Sequence, residues 1–248
     1  MATVAIIQAR TGSSRLPGKV LLDIEGRPML DWVVRRLARA RTLDHIVVAT
    51  TVEPTDEAIV TACDALEGIE LPVTTFRGSE DDVLDRYHGA ARTVGAQRVV
   101  RITSDCPLID PTVVDRVVET LDRTEADYAS NHIERSYPRG LDAEAMPFTV
   151  LDTAWREATE PFERVHVTPF LYRRSERFRL ASVTHDTNLH HHRWTVDTAE
   201  DLALIRALAA RLDGDVHAGW ERLLELVDSE PELVELNRHV RQKALEEG

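Results

Sequence analysis

Strand-like and helix-like segments alternate at a steady interval through the first half of this 248-residue chain, and that rhythm restricts the fold more than any other feature. Thr3–Ala9 is a short apolar run bounded by a polar, glycine-containing loop, the pattern of a strand buried on both faces. Pro28 then opens a helical stretch, Met29 to Leu37, apolar on one side and basic on the other. His45–Thr50, Leu71–Phe76 and Arg98–Thr103 read as further strands, with helices over Thr55–Leu66, Asp81–Val94 and Pro111–Leu121. The helix from Asp81 begins with acidic residues, as the helix dipole favours. This order predicts an α/β fold, a doubly wound, mostly parallel sheet with helices on both faces. Ligands of such sheets sit outside the carboxyl ends of the strands. Two polar segments fall there: Arg10–Lys19 after the first strand, and Ser104-Asp105 after the fourth.

From about Tyr128 to Thr195 the rhythm breaks into short extended pieces, with helices near Val150–Ala158 and Phe162–Tyr172. We read an insertion over about residues 131–192, returning to the sheet through Arg193–Val196, within one domain spanning 1–212. Residues 213–248 read as a C-terminal helical extension, with Trp220 to about Leu245 helical. A chain of this length holds one well-covered core, and two full domains are a tight fit. The formal net charge of −13 argues against general affinity for nucleic acid or anionic membranes, which need clustered positive charge. Small anions remain open wherever arginine and lysine concentrate. No apolar run approaches the roughly 18 residues of a bilayer span, and the N-terminus lacks the basic flank of a signal peptide, which predicts a cytoplasmic protein. Cys63 and Cys106 form no CxxC pair, so neither a disulfide framework nor a cysteine zinc site is expected.

The loop from Arg10 to Lys19 contains two glycines, the hydroxyls of Thr11, Ser13 and Ser14, and the cations Arg10, Arg15 and Lys19. Glycines such as Gly12 let backbone amides turn toward an anion, hydroxyls such as that of Ser14 add donors, and the cations neutralise phosphate charge. It is not a Walker A loop: five residues separate Gly12 from Gly18 where four are required, and Val20 stands at the Ser/Thr position. Lys19 and Lys243 are the only lysines in the chain. Where arginine is the default cation, a lysine in a glycine-containing loop points to a need for a compact ammonium. A solvated basic loop is the plain alternative.

Two aspartates form the second constellation, Asp105 in Ser-Asp-Cys-Pro-Leu and Asp197 in Arg-Trp-Thr-Val-Asp-Thr-Ala-Glu-Asp. Mg²⁺ takes one or two protein carboxylates and completes its shell with water and substrate phosphate, which two strand-end aspartates suit. Taken singly, Asp105 reads equally as a turn former before Pro107, and Asp197 as an N-cap. Arg77, in Arg-Gly-Ser-Glu after the third strand, is a further nucleotide contact candidate, though a turn and helix cap explain it nearly as well. Asn131 to Glu144 mixes cations, carboxylates and a Pro-x-Gly turn, and reads as a specificity loop or a surface insertion. The run His190-His191-His192 invites a metal-site reading, but adjacent histidines cannot all face one ion on a regular strand or helix, which counts against it.

Six blocks in order resemble the cytidylyltransferase family that includes CMP-sialic acid and CMP-Kdo synthetases, and within it the branch called spore coat polysaccharide biosynthesis protein F. They begin at Ile6 (IIQARTGSSRLPGKVL), Phe76 (FRGSEDDVLDRY), Thr103 (TSDCPLI), Tyr137 (YPRGLDAE), Glu163 (ERVHVTP) and Arg193 (RWTVDTAEDL), covering residues 1 to about 205. The resemblance implies a nucleotide-diphospho-sugar transferase, Rossmann-like fold and transfer of CMP from CTP to an acceptor with release of pyrophosphate. It implies that backbone near Ala9 and Arg10 holds the base, that Arg15 and Lys19 neutralise the triphosphate as the catalytic cations, and that Asp105 and Asp197 hold Mg²⁺. The insertion would line the acceptor pocket, with Asn131, Arg139, Asp142, Glu144 and His166 the candidates, and would help form a homodimer. His166 and Asp142 are the candidates for general base. Gln8 stands where the synthetases commonly carry proline, and their acceptor contacts do not match one for one, so the acceptor is an acidic sugar or a small phosphorylated or phosphonate compound. The competing readings are a nucleotide-sugar-dependent glycosyltransferase, which has less use for Lys19 in a triphosphate loop, and a catalytically silent nucleotide-binding regulatory protein, against which the intact aspartates and lysine count.

Overall fold

A computed structural model describes residues 1–242, so Lys243 and the end of the expected C-terminal helix lie outside the described residues. The strands are β1 (Thr3–Gln8), β2 (Asp23–Ile24), β3 (Arg27–Pro28), β4 (His45–Thr51), β5 (Val73–Gly78), β6 (Arg98–Thr103), β7 (Tyr128–Ser130), β8 (Glu144–Pro147) and β9 (Leu180–Ser182). The α-helices are α1 (Met29–Leu37), α2 (Glu57–Asp64), α3 (Val83–Thr93), α4 (Pro111–Thr124), α5 (Phe148–Glu157), α6 (Pro161–His166), α7 (Pro169–Tyr172), α8 (Ala199–Ala210), α9 (Trp220–Ser229) and α10 (Pro231–Glu235). Seven strands form one sheet in the order β5-β4-β1-β6-β8-β7-β9, and β2 and β3 make a separate antiparallel pair. β5, β4, β1 and β6 are parallel neighbours, whereas β8 runs antiparallel to both β6 and β7.

The continuous apolar character of β1 follows from its two covered faces. Ala5 and Ile7 point into a core shared with Trp32, Val33 and Leu37 of α1, and Val4 and Ile6 into a second core with Leu84, Tyr87 and Ala91 of α3. The chain leaves β1 toward β4 on one side and reaches β6 on the other, so the strand order reverses between β1 and β6. That reversal opens a crevice at their carboxyl ends, between the Arg10–Lys19 loop and Ser104-Asp105.

Three sequence expectations change in the second half, and one is the helix expected from Trp220 to about Leu245: it is α9 and α10, broken where Pro231 opens a new helix, and residues 236–242 are not helical. Arg193–Val196 does not re-enter the sheet: it lies extended beside the Asp105 loop, with the Val196 N–H donating to the Asp105 carbonyl (2.8 Å) and one parallel bridge between Arg193 and Arg139. The insertion joins the sheet instead through β8 and β9, on either side of β7, which immediately precedes it. The helix expected over Phe162–Tyr172 is two short helices, because Val167 takes a left-handed φ of 73° and Thr168 N–H closes a tight turn onto the His166 carbonyl (2.9 Å). A β-branched residue rarely adopts that conformation, and the fully buried Val167 side chain helps to hold it. Trp220, Leu223, Leu226 and Leu233 of α9 and α10 pack into the same core as α1 and α4.

Candidate active site

The loop after β1 is tied at its start and its end. The buried Asp56 carboxylate accepts the Thr11 N–H (2.8 Å) and hydroxyl (2.6 Å) on one oxygen, and the Thr51 hydroxyl (2.6 Å) on the other. Burial opposes charge on Asp56, but these Thr11 and Thr51 hydrogen bonds outweigh it and hold its pKa below the usual aspartate value. At the far end Gly18, with φ of 68°, donates its N–H to the Thr11 carbonyl (2.9 Å). Lys19 then begins a single 3-10 turn, Lys19–Leu21, whose Val20 is buried in the core. The side chain of Lys19 is thereby set across the mouth of β6.

There it meets both aspartates. The Lys19 ammonium donates to Asp105 Oδ2 (3.2 Å), Asp197 Oδ1 (2.9 Å) and the Val196 carbonyl (2.7 Å). Asp197 Oδ2 also meets Arg15 Nη2 (3.1 Å) and Arg193 Nη2 (2.8 Å). Burial works against the Lys19 ammonium, but Asp105 and Asp197 outweigh it and raise its pKa above the ordinary lysine value. Burial likewise opposes charge on Asp197, and Lys19, Arg15 and Arg193 together hold its pKa below the usual aspartate range. Asp197 does not cap α8. Thr198 does, in a reciprocal capping box with Asp201, which leaves the Asp197 carboxylate available to the crevice. Two carboxylates converging on one cation form a donor set that suits a divalent ion completed by phosphate oxygens. Among the described residues no group of three or more His, Cys, Asp or Glu side chains is placed to hold a metal by itself.

Around this cluster lies a cavity of about 500 Å³, lined by Ala9, Arg10, Gly12, Ser14, Arg15, Lys19, Asp105 and Asp197 among others. A second cavity of about 520 Å³ is lined by Arg139, Asp142, Glu144, His166, His132, Arg135 and Tyr172. Arg101, Thr103 and His166 line both, so the two cavities adjoin. Three backbone features bring the second cavity's walls together. Gly140, at φ of 102°, lies so close to the extended 193–196 segment that a Cβ would stand 2.5 Å from the Trp194 carbonyl carbon. Arg139 donates its N–H to the His192 carbonyl (3.0 Å) and accepts from Trp194 N–H (2.7 Å). The turn at Val167 presents His166 where the cavities meet.

Two candidates from the sequence stand elsewhere. Arg77 is committed to the Thr51 carbonyl (3.0 Å), the Glu53 carbonyl (3.0 Å) and the Glu57 carboxylate, and lines neither cavity. Its guanidinium joins the end of β5 to the start of α2, away from the crevice, so the turn-and-cap reading is the one the geometry favours. Asn131 is buried, and its amide pins the 141–143 backbone by donating to Leu141 O (2.7 Å) and accepting from Ala143 N (2.9 Å). It shapes the second cavity from behind.

Arg101 was missed. It carries charge in the middle of an apolar strand, which is the signal that marks it. Its guanidinium bonds Glu144 and Gln8 Oε1 (3.1 Å). Burial alone would raise the pKa of Glu144, but Arg101 first and His132 second hold it well below the usual carboxylate range. Arg193, which opens the sixth block, forks onto Asp201 (2.8 and 3.0 Å) while touching Asp197. The three histidines do not share a ligand point: the His191 and His192 rings lie against each other at a tilt of 39° (4.1 Å between ring centres), and burial, then His191, pushes the His192 pKa down to about 4.

The family profile for cytidylyltransferases matches residues 4–233. The chain is 36% identical to the uncharacterised protein MJ1063 of Methanocaldococcus jannaschii, over 100% of this chain and 99% of that protein. It is 31% identical to the spore coat polysaccharide biosynthesis protein SpsF of Bacillus subtilis, over 92% of this chain and 94% of that one. Among solved structures, a cytidylyltransferase from Leptospira borgpetersenii superposes with a TM-score of 0.89 at 27% identity, covering 98% of this chain and 99% of the other.

Proposed function

The chain belongs to the cytidylyltransferase family, and from that premise we propose that it transfers CMP from CTP to a small anionic acceptor, an acidic sugar or a phosphorylated or phosphonate compound, releasing pyrophosphate. By analogy with SpsF, the product would serve cell-surface polysaccharide biosynthesis, in a cytoplasmic homodimer. None of the helices among the described residues is long and apolar enough to cross a membrane. The observation that carries the reading is the convergence of Lys19, Arg15, Asp105 and Asp197 at the strand-order reversal, with a second cavity opening beside them.

In this reading CTP occupies the cavity under the Arg10–Lys19 loop, with the base against the Ala9–Arg10 backbone, near Gly12 and Ser14. Asp105 and Asp197 would hold Mg²⁺, which when bound neutralises phosphate charge and polarises the phosphorus under attack. Lys19 and Arg15 turn from the aspartates to the phosphate oxygens, where preorganised cations stabilise the charge that builds as pyrophosphate departs. The acceptor lies in the adjoining cavity with its anionic group toward Arg139. Every other arginine of that wall already faces a carboxylate, Arg101 on Glu144 and Arg135 on Asp142 (2.7 Å), so Arg139 has positive charge to offer. An acceptor oxygen then attacks the α-phosphorus in line, and catalysis is mostly positioning and charge neutralisation. His166, on the border of both cavities, and Asp142, paired with Arg135, are the two candidates to take the acceptor proton. Pyrophosphate release from CTP is measured with Mg²⁺ and a panel of acidic sugars, sugar phosphates and phosphonates. Release with CTP and an anionic acceptor is expected; silence with all four nucleoside triphosphates across the panel refutes the reading.

A further inference from the structure

The residues after Ala210 show no chemical motif in the sequence, yet the arm that follows Glu235 comes back to the active site. Asn237 is 3% exposed, and its side-chain nitrogen donates to the Arg193 carbonyl (2.9 Å) and to Asp201 Oδ1 (2.9 Å). Both amide hydrogens are thereby used. The Arg193 guanidinium forks onto Asp201, donates to Asp197 Oδ2 (2.8 Å) and bonds the side-chain carbonyl of Gln242. Asp201 Oδ2 also accepts the N–H of Asp197 (2.9 Å). Arg193 is therefore gripped by the arm at its backbone and at its tip, and what it holds in turn is the carboxylate of Asp197. Gln242 and Arg139 are, besides, common to the acceptor cavity and to a chamber of about 300 Å³ between the arm and His190–Trp194.

We propose that residues 236–242 are a working wall of the active site, in which Asn237 is a positioning residue that holds Arg193 against Asp197 and Gln242 closes the acceptor side. The proposal rests on the assignment of Asp197 to the metal and nucleotide. A carboxylate with three cationic neighbours has several ways to turn, and what selects one is the fixed direction of Arg193. Without the Asn237 amide, the Arg193 carbonyl is left buried and unpaired and its backbone is released. Groups that orient a metal ligand typically influence metal affinity by about 10–100-fold.

Mn²⁺ binding to the full chain, followed by electron paramagnetic resonance with and without CTP, tests this with no acceptor required. Asn237→Ala is expected to weaken Mn²⁺ binding in the presence of CTP by about 10-fold or more, and Gln242→Ala by a few-fold. Leu151→Ala, fully buried in the opposite core, is expected to lower the unfolding midpoint and leave Mn²⁺ binding unchanged. A folded Asn237→Ala protein with wild-type affinity overturns the proposal. If that variant fails to fold, wild-type affinity in Gln242→Ala overturns it instead. A wild-type protein whose Mn²⁺ affinity is indifferent to every nucleoside triphosphate refutes the transfer reading, and the proposal with it; a responsive wild type whose variants bind Mn²⁺ with CTP as tightly as it does refutes the arm alone.

Discussion

Replacing Lys19 by methionine keeps the aliphatic stem and removes the one charge that Asp105 and Asp197 share. At about 3 Å and an effective dielectric of about 20, each contact is worth about 5 kcal/mol of Coulomb attraction before desolvation. Desolvation offsets most of that, and breaking a buried pair costs about 3–5 kcal/mol net. Asp197 keeps Arg15 and Arg193, and the Asp105 side chain is 27% exposed, so the loss is scaled down to about 2 kcal/mol in urea unfolding at pH 7. The sign for metal is opposite. Two carboxylates released from their ammonium should bind Mn²⁺ about tenfold more tightly in the absence of nucleotide, a gain of about 1.4 kcal/mol. Turnover should meanwhile fall by about 10²–10³, the usual consequence of deleting one donor to developing charge. Lys19→Met that is as stable as wild type, or that binds Mn²⁺ no better without CTP, would show that the ammonium does not hold the aspartates. Full turnover in a folded variant would remove Lys19 from the chemistry.

Two further perturbations probe the acceptor side. Glu144→Gln leaves the Arg101 charge without its buried counter-charge and should cost about 3 kcal/mol at pH 7. Because the folded-state pKa of Glu144 is depressed, its contribution is complete above the ordinary glutamate value of 4.5 and is lost as pH falls below it, so the variant's stability should decline less steeply with acid than wild type's in urea titrations. Gly140→Ala adds a Cβ 2.5 Å from backbone at a φ of 102°, which should cost about 2–3 kcal/mol of thermal stability and weaken acceptor binding more than CTP binding; an unshifted Tm would mean that the approach of the two loops is not tight.

The parallel sheet, the crevice and the loop under it were legible in the sequence because they rest on local pattern. An apolar run covered on both faces is a buried strand wherever it occurs, and Gly18 and Lys19 announce a turn with a cation next to it. What Lys19 touches was not legible. Asp105 lies 86 residues away in the chain and Asp197 lies 178 away, and their convergence on one ammonium is decided by the strand order. The same reason separates the candidates that took part from those that did not. Arg77 stands in a segment that reads as nucleotide-facing, but β5 is the edge strand and Glu57 is its neighbour, so its charge is spent on structure. Asn131 reads as an acceptor contact, yet burial turns its amide toward backbone. Arg193 and Asn237 show the converse. No local pattern marks them, since a buried polar side chain gains its meaning only from the partners that tertiary packing places against it.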